Sequence, residues 1–141
     1  EIQNALDSFK SIFGRAEKRV INGQQALIQL IKNPTGASEV LKTVDLRSNI
    51  VIAINDNYAD GRDISWLWDS DFEQLKNAEK LVITSGIRAA DMAVRLKYAG
   101  IPQEKIIVEP SIKKAIELAA QDKITILPSY TALLKKYKMK L

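Results

Sequence analysis

The segment from Asn55 to Asp69, NDNYADGRDISWLWD, concentrates the side chains of this sequence that could do chemistry. It holds four of the 17 acidic residues and both tryptophans of the 141-residue chain. Clustered carboxylates repel one another unless a cation, a metal or a histidine lies beside them. Arg62 can pair with only some of these carboxylates, and the chain contains no histidine. An aspartate whose task is to orient an imidazole would therefore need a histidine from another chain.

Three aspartates of this segment are candidates for a catalytic carboxylate. Asp56 is the first choice, because it follows a strand directly and a strand end holds a side chain more rigidly than a loop tip. Asp60 is the second choice and Asp63 is the third. The alternative is a structural turn, in which Gly61 has a positive φ and Ser65 caps the next helix. Against a plain turn, 15 residues is long for a strand-to-helix connection, and long ordered loops are usually functional.

Three aromatic residues of the same segment are candidates for a partner interface. They are Trp66, Trp68 and Tyr58, and tryptophan is favoured at binding hot spots. The alternative for the two tryptophans is that they fill the core beneath the loop. No metal site is expected, because the chain lacks both histidine and cysteine, the commonest metal ligands besides carboxylates.

Two further loops could bind an anion such as a phosphate or a carboxylate. Lys32–Gly36 precedes a helix, whose N-terminus attracts negative charge, although a bare turn is the alternative. Thr84–Arg88 follows a strand and opens another helix with hydroxyls, a glycine and an arginine. The predicted substrate or phosphate ligands are Lys32, Asn33, Ser85, Arg88 and Arg62. The sequence contains neither GxxxxGK[ST] nor GxGxxG, so ATP hydrolysis by these residues alone is not expected.

The elements that must position these loops alternate between strand and helix patterns. Residues 49–55 are nearly all apolar and β-branched, which is typical of a central strand in a parallel sheet covered by helices. The predicted strands are residues 19–21, 26–31, 49–55, 81–84, 106–108 and 124–127, with an Asn22-Gly23 turn after the first. The predicted helices are residues 37–44, 89–99 and 112–120, a first helix carrying Ile2 to Phe9 and a last helix carrying Leu133 to Tyr137. The pattern predicts an α/β fold, an open and mostly parallel Rossmann-like sheet with helices on both faces.

Composition and charge are those of an ordinary globular domain. The chain is 46% hydrophobic and 27% charged, and no apolar run approaches the about 20 residues that cross a bilayer. A transmembrane protein is therefore not expected. The net charge of +4 could favour anionic ligands. Four lysines crowd the end of the last predicted helix, where they favour the helix dipole, so no nucleic-acid partner is predicted from them. They are Lys135, Lys136, Lys138 and Lys140.

Three short motifs together resemble the C-terminal domain of Mur ligases. Gly14–Glu17 is similar to a GRxE-like motif of that family. Lys32–Gly36 resembles the loop in which an Asn-Pro pair precedes a helix, and Asp60–Asp63 resembles a GxRD-like loop. Residues 1–12 are then expected to be the end of a linker or helix from an upstream domain. Residues 13–141 are expected to form the Mur ligase-like C-terminal α/β domain.

Longer strings resemble one branch of this family more closely. The string Asn55–Asp69, with SGIRA at residues 85–89 and RLKYAG at residues 95–100, looks like the C-terminal domain of the MurT-type subunit of lipid II isoglutaminyl synthases. The likeness extends from about Phe9 to Tyr137, nearly the whole chain.

The resemblance implies a larger subunit, with an upstream domain that binds ATP and Mg²⁺, and a glutamine amidotransferase subunit as its partner. In that family the complex amidates the α-carboxyl of D-glutamate in the lipid II stem peptide, a step of peptidoglycan synthesis. The partner releases ammonia from glutamine with a Cys-His pair, and the MurT-like subunit activates the glutamate as an acyl phosphate. The C-terminal domain provides an aspartate that completes the Cys-His-Asp arrangement, so the isolated domain should be inactive. The expected location is the bacterial cytoplasm, at the inner membrane face where lipid II lies.

Two alternatives stay open at this level. One is the C-terminal domain of an ATP-dependent amino-acid-adding Mur ligase, in which Arg62 or Arg88 would serve ligation without an amidotransferase. Those ligases show a histidine ahead of the Asn-Pro pair, where this chain has Lys32, and this difference favours the MurT type. The other is a stand-alone flavodoxin-like module, such as a phosphoacceptor receiver, whose strand-end aspartate would match Asp56. A receiver also needs an acidic pair after its first strand, and Ile21–Gly23 supplies none.

Overall fold

The structure, a computed structural model, describes residues 16–133. Four sequence predictions lie wholly or mostly outside the described residues: the first helix, the start of the GRxE-like motif, the last helix beyond residue 133, and the lysine cluster. Among residues 16–133, no helix has the length and the apolar character that a membrane span needs.

In this part of the chain, six strands form one sheet in the order β1-β2-β6-β3-β4-β5. Their bounds are Glu17–Ile21 (β1), Gln24–Ile28 (β2), Asn49–Ala53 (β3), Val82–Ser85 (β4), Ile106–Val108 (β5) and Ile124–Pro128 (β6). β1 pairs antiparallel with β2, and all the other neighbouring pairs are parallel. The turn between β1 and β2 has φ values of +50° at Asn22 and +80° at Gly23, as a two-residue hairpin turn requires. The predicted open, mostly parallel sheet is confirmed.

Helices fill the connections between the strands. Their bounds are Pro34–Leu41 (α1), Trp66–Asp69 (α2), Ala89–Tyr98 (α3) and Ile112–Ala119 (α4), with 3₁₀ turns at Tyr58–Asp60, Phe72–Leu75 and Gln103–Lys105. α4 begins after Ser111, whose hydroxyl accepts the Lys114 N–H, and α3 ends before Gly100, which has a φ of +93°. Ser, Thr, Asp and Asn are favoured before a helix because their side chains accept hydrogen bonds from its first N–H groups. Glycine is favoured after a helix because it readily adopts the positive φ at which the helix ends.

Alternate residues of β3, together with Ile54 directly after it, face two separate hydrophobic cores, one on each face of the sheet. Ile50, Ile52 and Ile54 pack with residues of α1, α2 and α3, namely Leu41, Leu67, Met92 and Leu96. Val51 and Ala53 pack on the opposite face with residues of α4, namely Ile112, Ala115, Ile116 and Ala119. All five residues of β3 are buried, which explains why four of them are apolar. The exception, Asn49, donates its side-chain N–H to the Ala119 carbonyl at 3.0 Å. Helices on both faces are therefore confirmed.

Three predicted boundaries, in one helix and one strand, are wrong by three residues. The helix predicted at residues 37–44 begins at Pro34 and ends at Leu41. The cause is Asn33, whose side chain accepts the Gly36 N–H at 2.8 Å, so the Asn-Pro pair starts the helix and does not belong to a preceding loop. The strand predicted at residues 26–31 ends at Ile28, although the Ile31 N–H still donates to the Pro128 carbonyl at 3.0 Å. The other boundaries agree within two residues.

Candidate functional site

β3 and β6 are neighbours whose following segments leave the sheet toward opposite faces. After β3 the chain leads to α2, whose Leu67 lies in the core that α1 and α3 cover. After β6 it leads to a helical turn at residues 130–133, whose Ala132 and Leu133 lie in the core that α4 covers. In α/β sheets such a divergence marks the place where ligands bind, outside the carboxyl ends of the strands. The region outside the carboxyl ends of β3 and β6 is called the crevice below. The candidate site is this crevice.

Asp56 lies at the crevice, two residues beyond Ile54 and three beyond the end of β3. Its side chain is 20% exposed, and its Oδ2 atom lies 3.9 Å from Arg88 Nε. Among the hydrogen bonds within residues 16–133, none reaches the Asp56 carboxylate. The carboxylate therefore stands at the surface with a guanidinium nearby, and its hydrogen-bonding capacity is open to a group from outside the chain.

Arg88 is held between two carboxylates at the start of α3. Its Nε atom lies 3.1 Å from Asp91 Oδ2 and 3.9 Å from Asp56 Oδ2, yet it is buried without a well-aligned hydrogen-bond acceptor in the described chain. A buried guanidinium nitrogen without an acceptor is costly. Arg88 is therefore the member of the predicted anion-binding set that retains free hydrogen-bonding capacity beside Asp56.

Asp60, the second candidate, is engaged within the chain. Its Oδ1 accepts the Thr131 N–H at 2.7 Å, and its Oδ2 accepts the Thr131 hydroxyl at 2.5 Å. Oδ2 also accepts the Asn57 N–H at 3.1 Å. These bonds tie the segment after β3 to the segment after β6. Both carboxylate oxygens are thus used for structure in this chain.

Asp63, the third candidate, is exposed and makes a local turn. It accepts the Ser65 N–H at 2.8 Å, and the hydrogen bonds from Ser65 hold the pKa of the Asp63 carboxyl below its ordinary value. Ser65 occupies the N-cap position of α2, as the turn alternative expected, but its side chain makes no capping hydrogen bond. Gly61 has the expected positive φ, +83°.

Of the three predicted interface aromatics, two are exposed. Tyr58 projects into solvent with the Arg62 guanidinium 5.0 Å from its ring centre. Trp68 is 52% exposed and meets Tyr98 edge-on, with 5.6 Å between the ring centroids. Trp66 packs against the core of α1 and α3, as the core-filling alternative expected for it. Tyr58 and Trp68 remain available to a partner.

The remaining predicted anion ligands differ in their availability. Ser85 is buried and its hydroxyl donates to the Pro110 carbonyl at 3.3 Å. The Asn33 side chain is occupied in capping α1. Lys32 is exposed and follows β2, so it lies at the same edge of the sheet as Asp56 because carboxyl ends of parallel strands share an edge. No group of three acidic, histidine or cysteine side chains in residues 16–133 is arranged to hold a metal.

Two residues beside Asp56 have no role among the sequence predictions, Asn55 and Thr131. Asn55 is 7% exposed, its backbone N–H donates to Ser129 Oγ at 2.9 Å, and its Oδ1 accepts the Ile87 N–H at 2.9 Å. Thr131 bonds to the Asn55 side chain and to Asp60. Both could be found only when the order of the strands is known, because they come from chain segments 76 residues apart.

A groove of about 550 Å³ lies elsewhere, at the amino end of β6. It is bordered by Lys18, Leu27, Asp45, Lys123 and Thr125, with other residues of β1 and β2. This groove is at the opposite edge of the sheet from Asp56 and Arg88. Ligand sites of such sheets lie at the carboxyl edge, so the crevice between β3 and β6 is the stronger candidate.

The sheet and its two helical layers define a Rossmann-like α/β domain with a carboxylate at the edge where sheets of this kind bind ligands. An antiparallel edge strand and six strands in this order differ from the flavodoxin-like order of a receiver. The sequence profile described as MurT ligase C-terminal matches residues 30–133, which are 104 of the 141 residues. The chain belongs to the MurT ligase C-terminal family.

Relatives from two organisms agree with this family. The chain is 36% identical over 141 residues to the lipid II isoglutaminyl synthase (glutamine-hydrolyzing) subunit MurT of Streptococcus pneumoniae, covering 95% of this chain and 32% of that protein. It is 36% identical over 138 residues to the subunit of the same name from Staphylococcus aureus, covering 94% of this chain and 31% of that protein. The chain spans about a third of the length of these curated relatives.

Proposed function

We propose that this chain is the C-terminal domain of the ligase subunit of a lipid II isoglutaminyl synthase, and that Asp56 completes a catalytic triad on a separate glutaminase subunit. The observation that carries this proposal is the state of the Asp56 carboxylate. It lies at the crevice, partly exposed, in a chain without a histidine or a cysteine that it could serve. The relatives are named as subunits of a glutamine-hydrolyzing synthase, which supports a glutaminase partner.

In the proposed reaction, a thiolate of the partner attacks the side-chain amide of glutamine. The partner's imidazole protonates the leaving ammonia, and water then releases glutamate from the thioester. ATP, bound with Mg²⁺ by an upstream domain, phosphorylates the α-carboxyl of D-glutamate in lipid II. Ammonia displaces phosphate from that acyl phosphate and forms the amide. The substrate lies at the cytoplasmic membrane face, which is the proposed place of action.

Asp56 is proposed to act on the imidazole. A carboxylate that accepts the Nδ1–H bond of a histidine fixes its tautomer and stabilises the imidazolium that forms when the histidine accepts a proton. The free hydrogen-bonding capacity of Asp56 suits this role, whereas both carboxylate oxygens of Asp60 are already engaged by Thr131 and Asn57. The guanidinium of Arg88, 3.9 Å from Asp56, stabilises the negative charge of the Asp56 carboxylate when the partner is absent.

Tyr58 and Trp68 are proposed as contacts of the glutaminase subunit. Both lie on the segment that follows Asp56, and both are exposed. Tyrosine and tryptophan are enriched among residues that dominate binding energy because they bury large areas with few rotatable bonds. Tyr58 lies two residues after Asp56, so a partner seated over Asp56 would meet it directly. Trp68 packs on Tyr98, the last residue of α3, and is proposed as a second, more distant contact.

The test uses the full-length subunit in complex with its glutaminase subunit. Asp56→Asn should lower kcat for glutamine hydrolysis by about 100-fold or more, because an amide cannot hold the imidazole in the required tautomer. Complex formation, measured by analytical ultracentrifugation, should be unchanged. Lipid II amidation with glutamine should fall in parallel, and amidation with added ammonium should persist because it needs no glutaminase.

Asp63→Asn is the matched control, because it removes a carboxylate from the same segment that only makes a local turn. Its glutaminase rate should stay within about twofold of the unmodified complex. A near-normal rate for Asp56→Asn would reject the assignment and direct attention to Asp60.

A further inference from the structure

We propose that Thr131 is a positioning residue for Asp56, acting through the side chains of Asn55, Asn57 and Asp60. The proposal rests on the proposed function of Asp56. It concerns the segment after β6, which no motif of the sequence singles out.

The Thr131 hydroxyl is the centre of a saturated hydrogen-bond network. It donates to Asp60 Oδ2 at 2.5 Å and accepts from Asn55 Nδ2 at 3.1 Å and Asn57 Nδ2 at 3.0 Å. A hydroxyl has one donor and two acceptor positions, so all three are used. The Thr131 N–H also donates to Asp60 Oδ1 at 2.7 Å.

This network fixes the backbone on both sides of Asp56. Asn55 and Asn57, the two chain neighbours of Asp56, are anchored to the same oxygen atom. Asn55 is further held by Ser129 Oγ and by the Ile87 N–H. Asp56 therefore lies between two anchored residues. Asn55 is bonded to the segments after β4 and β6, and Asn57 to the segment after β6, so the Cα–Cβ direction of Asp56 is set by bonds that it does not make itself.

The Arg88 backbone is bonded to the segment that carries Asp56. Its N–H donates to the Ile54 carbonyl at 2.9 Å, so the separation of Asp56 from the guanidinium depends on the same backbone segment. A carboxylate that must meet an imidazole from another chain has to be placed before the partner arrives, because a displacement of about 1 Å can cost about 100-fold in rate.

Thr131→Val tests the network in the full-length subunit with its glutaminase partner. Valine keeps the shape of threonine but leaves two amide groups without an acceptor and Asp60 without its hydroxyl donor. The expected result is a fall in glutaminase kcat of about tenfold or more, with the KM for glutamine unchanged because glutamine binds to the partner. The alkaline limb of the pH profile should move to lower pH, since a loosened carboxylate stabilises the imidazolium less.

Thr131→Ser and Thr125→Val are the controls. Serine keeps the hydroxyl and should restore kcat and the pH profile. Thr125 also lies on the β6 segment, is buried and bonds through its hydroxyl to Ser48 Oγ at 2.7 Å, but it lies at the amino end of the strand. Both Thr125→Val and Thr131→Val should lower the urea midpoint of unfolding. Thr125→Val should leave the pH profile of the glutaminase kcat unchanged.

Asn57→Ala keeps the proposal testable if Thr131→Val does not assemble. Asn57 is exposed, so its truncation should leave the fold intact while it removes one bond to Thr131. A fall in kcat of a few fold with the same direction of pH shift is expected. Unchanged kcat and pH profile in Asn57→Ala and in assembled Thr131→Val would overturn the positioning role.

A double variant separates this proposal from the function on which it rests. In the Asp56→Asn background, Thr131→Val should cause no further loss of kcat, because residues that act through one another are not additive. If Asp56→Asn alone lowers kcat and Thr131→Val lowers it further by the same factor as in the unmodified subunit, the positioning role is wrong and the role of Asp56 stands. If Asp56→Asn has no effect, both proposals fail.

Discussion

At Gly86, directly after β4, the backbone passes so close to the end of β3 that only glycine fits. Its φ is +85°, and a Cβ atom there would lie 2.6 Å from the Ile54 carbonyl oxygen and 2.7 Å from Asn55 Oδ1. The close approach allows the next residue, Ile87, to donate its N–H to Asn55. One glycine thus joins the two strand ends that carry Asp56 and Arg88.

Gly86→Ala should destabilise the chain by about 2–5 kcal/mol, because a positive φ costs roughly 1–2 kcal/mol and overpacking roughly 1–3 kcal/mol. Gly61→Ala is the control, because Gly61 has nearly the same φ, +83°, and nothing within 4 Å of an added Cβ. It should cost only about 1–2 kcal/mol. Urea unfolding of both variants measures the difference, and equal losses would contradict the close-contact argument.

At the scale of elements, α2 depends on an arginine from α3. α2 has four residues, too few for a helix to persist without tertiary contacts. Arg95 is 3% exposed and donates at 2.8 Å to the Leu67 carbonyl, the Ser70 carbonyl and the Glu73 carboxylate. Its guanidinium also lies 5.3 Å from the centre of the Trp68 ring, and its hydrogen bond holds the pKa of the Glu73 carboxyl below its ordinary value.

Arg95→Met should therefore release α2 and cost about 2–4 kcal/mol of stability, since two backbone carbonyls lose a charged donor. Trp68 should lose its orientation, and the affinity of the full-length subunit for the glutaminase subunit should fall if Trp68 is an interface anchor. Urea unfolding and a binding titration measure the two effects. Arg47→Met, which removes an exposed arginine with a surface ion pair, should cost less than about 1 kcal/mol, and a similar cost for both variants would contradict the role of Arg95.

The contrast between α2 and β3 shows what the sequence could predict. β3 is predictable from sequence because a strand that is buried on both faces requires an apolar run. α4 is predictable because its apolar residues recur at helical spacing. The Asn-Pro pair is both a turn signal and a cap signal, and the turn interpretation places the start of α1 three residues too late. Arg95 resembles a surface residue in sequence, and Thr131 gains its role only from the neighbourhood of β6 and β3. Asp56 was predictable as a strand-end residue, whereas the crevice that exposes it follows from the strand order.

At the scale of the whole molecule, the two edges of the sheet carry different groups of charged residues. The carboxyl edge carries the crevice with Asp56 and Arg88. The amino edge carries ion pairs that join the segments before the strands, as Asp45 does with Arg47 and Lys123, and as Lys80 does with Asp122. Charge changes at the amino edge should therefore alter stability without altering the chemistry at the other edge.

Asp45→Asn tests this separation through its pH dependence. The Asp45 carboxylate accepts hydrogen bonds from the Arg47 N–H at 3.0 Å, from Lys123 Nζ at 3.0 Å and from Arg47 Nε at 3.2 Å, and these bonds hold the pKa of Asp45 well below its ordinary value. A lowered pKa in the folded state means that the unfolded chain takes up the proton first as pH falls. The stabilisation is therefore complete above the unfolded pKa of about 3.9 and is lost progressively below it.

The asparagine variant should be less stable than the original chain by roughly 1 kcal/mol at pH 7. Urea unfolding at pH 7, 5 and 3 should show that this difference in the free energy of unfolding decreases only between pH 5 and pH 3. In the full-length complex at pH 7, glutaminase kcat should be unchanged, because Asp45 lies at the edge of the sheet remote from Asp56. A difference that stays constant down to pH 3 would contradict the ion-pair origin of the stability. A lower kcat in a fully folded variant would instead show that the two edges are coupled. The strands connect the amino edge to the crevice, so the effect of the substitution would have to be transmitted along them.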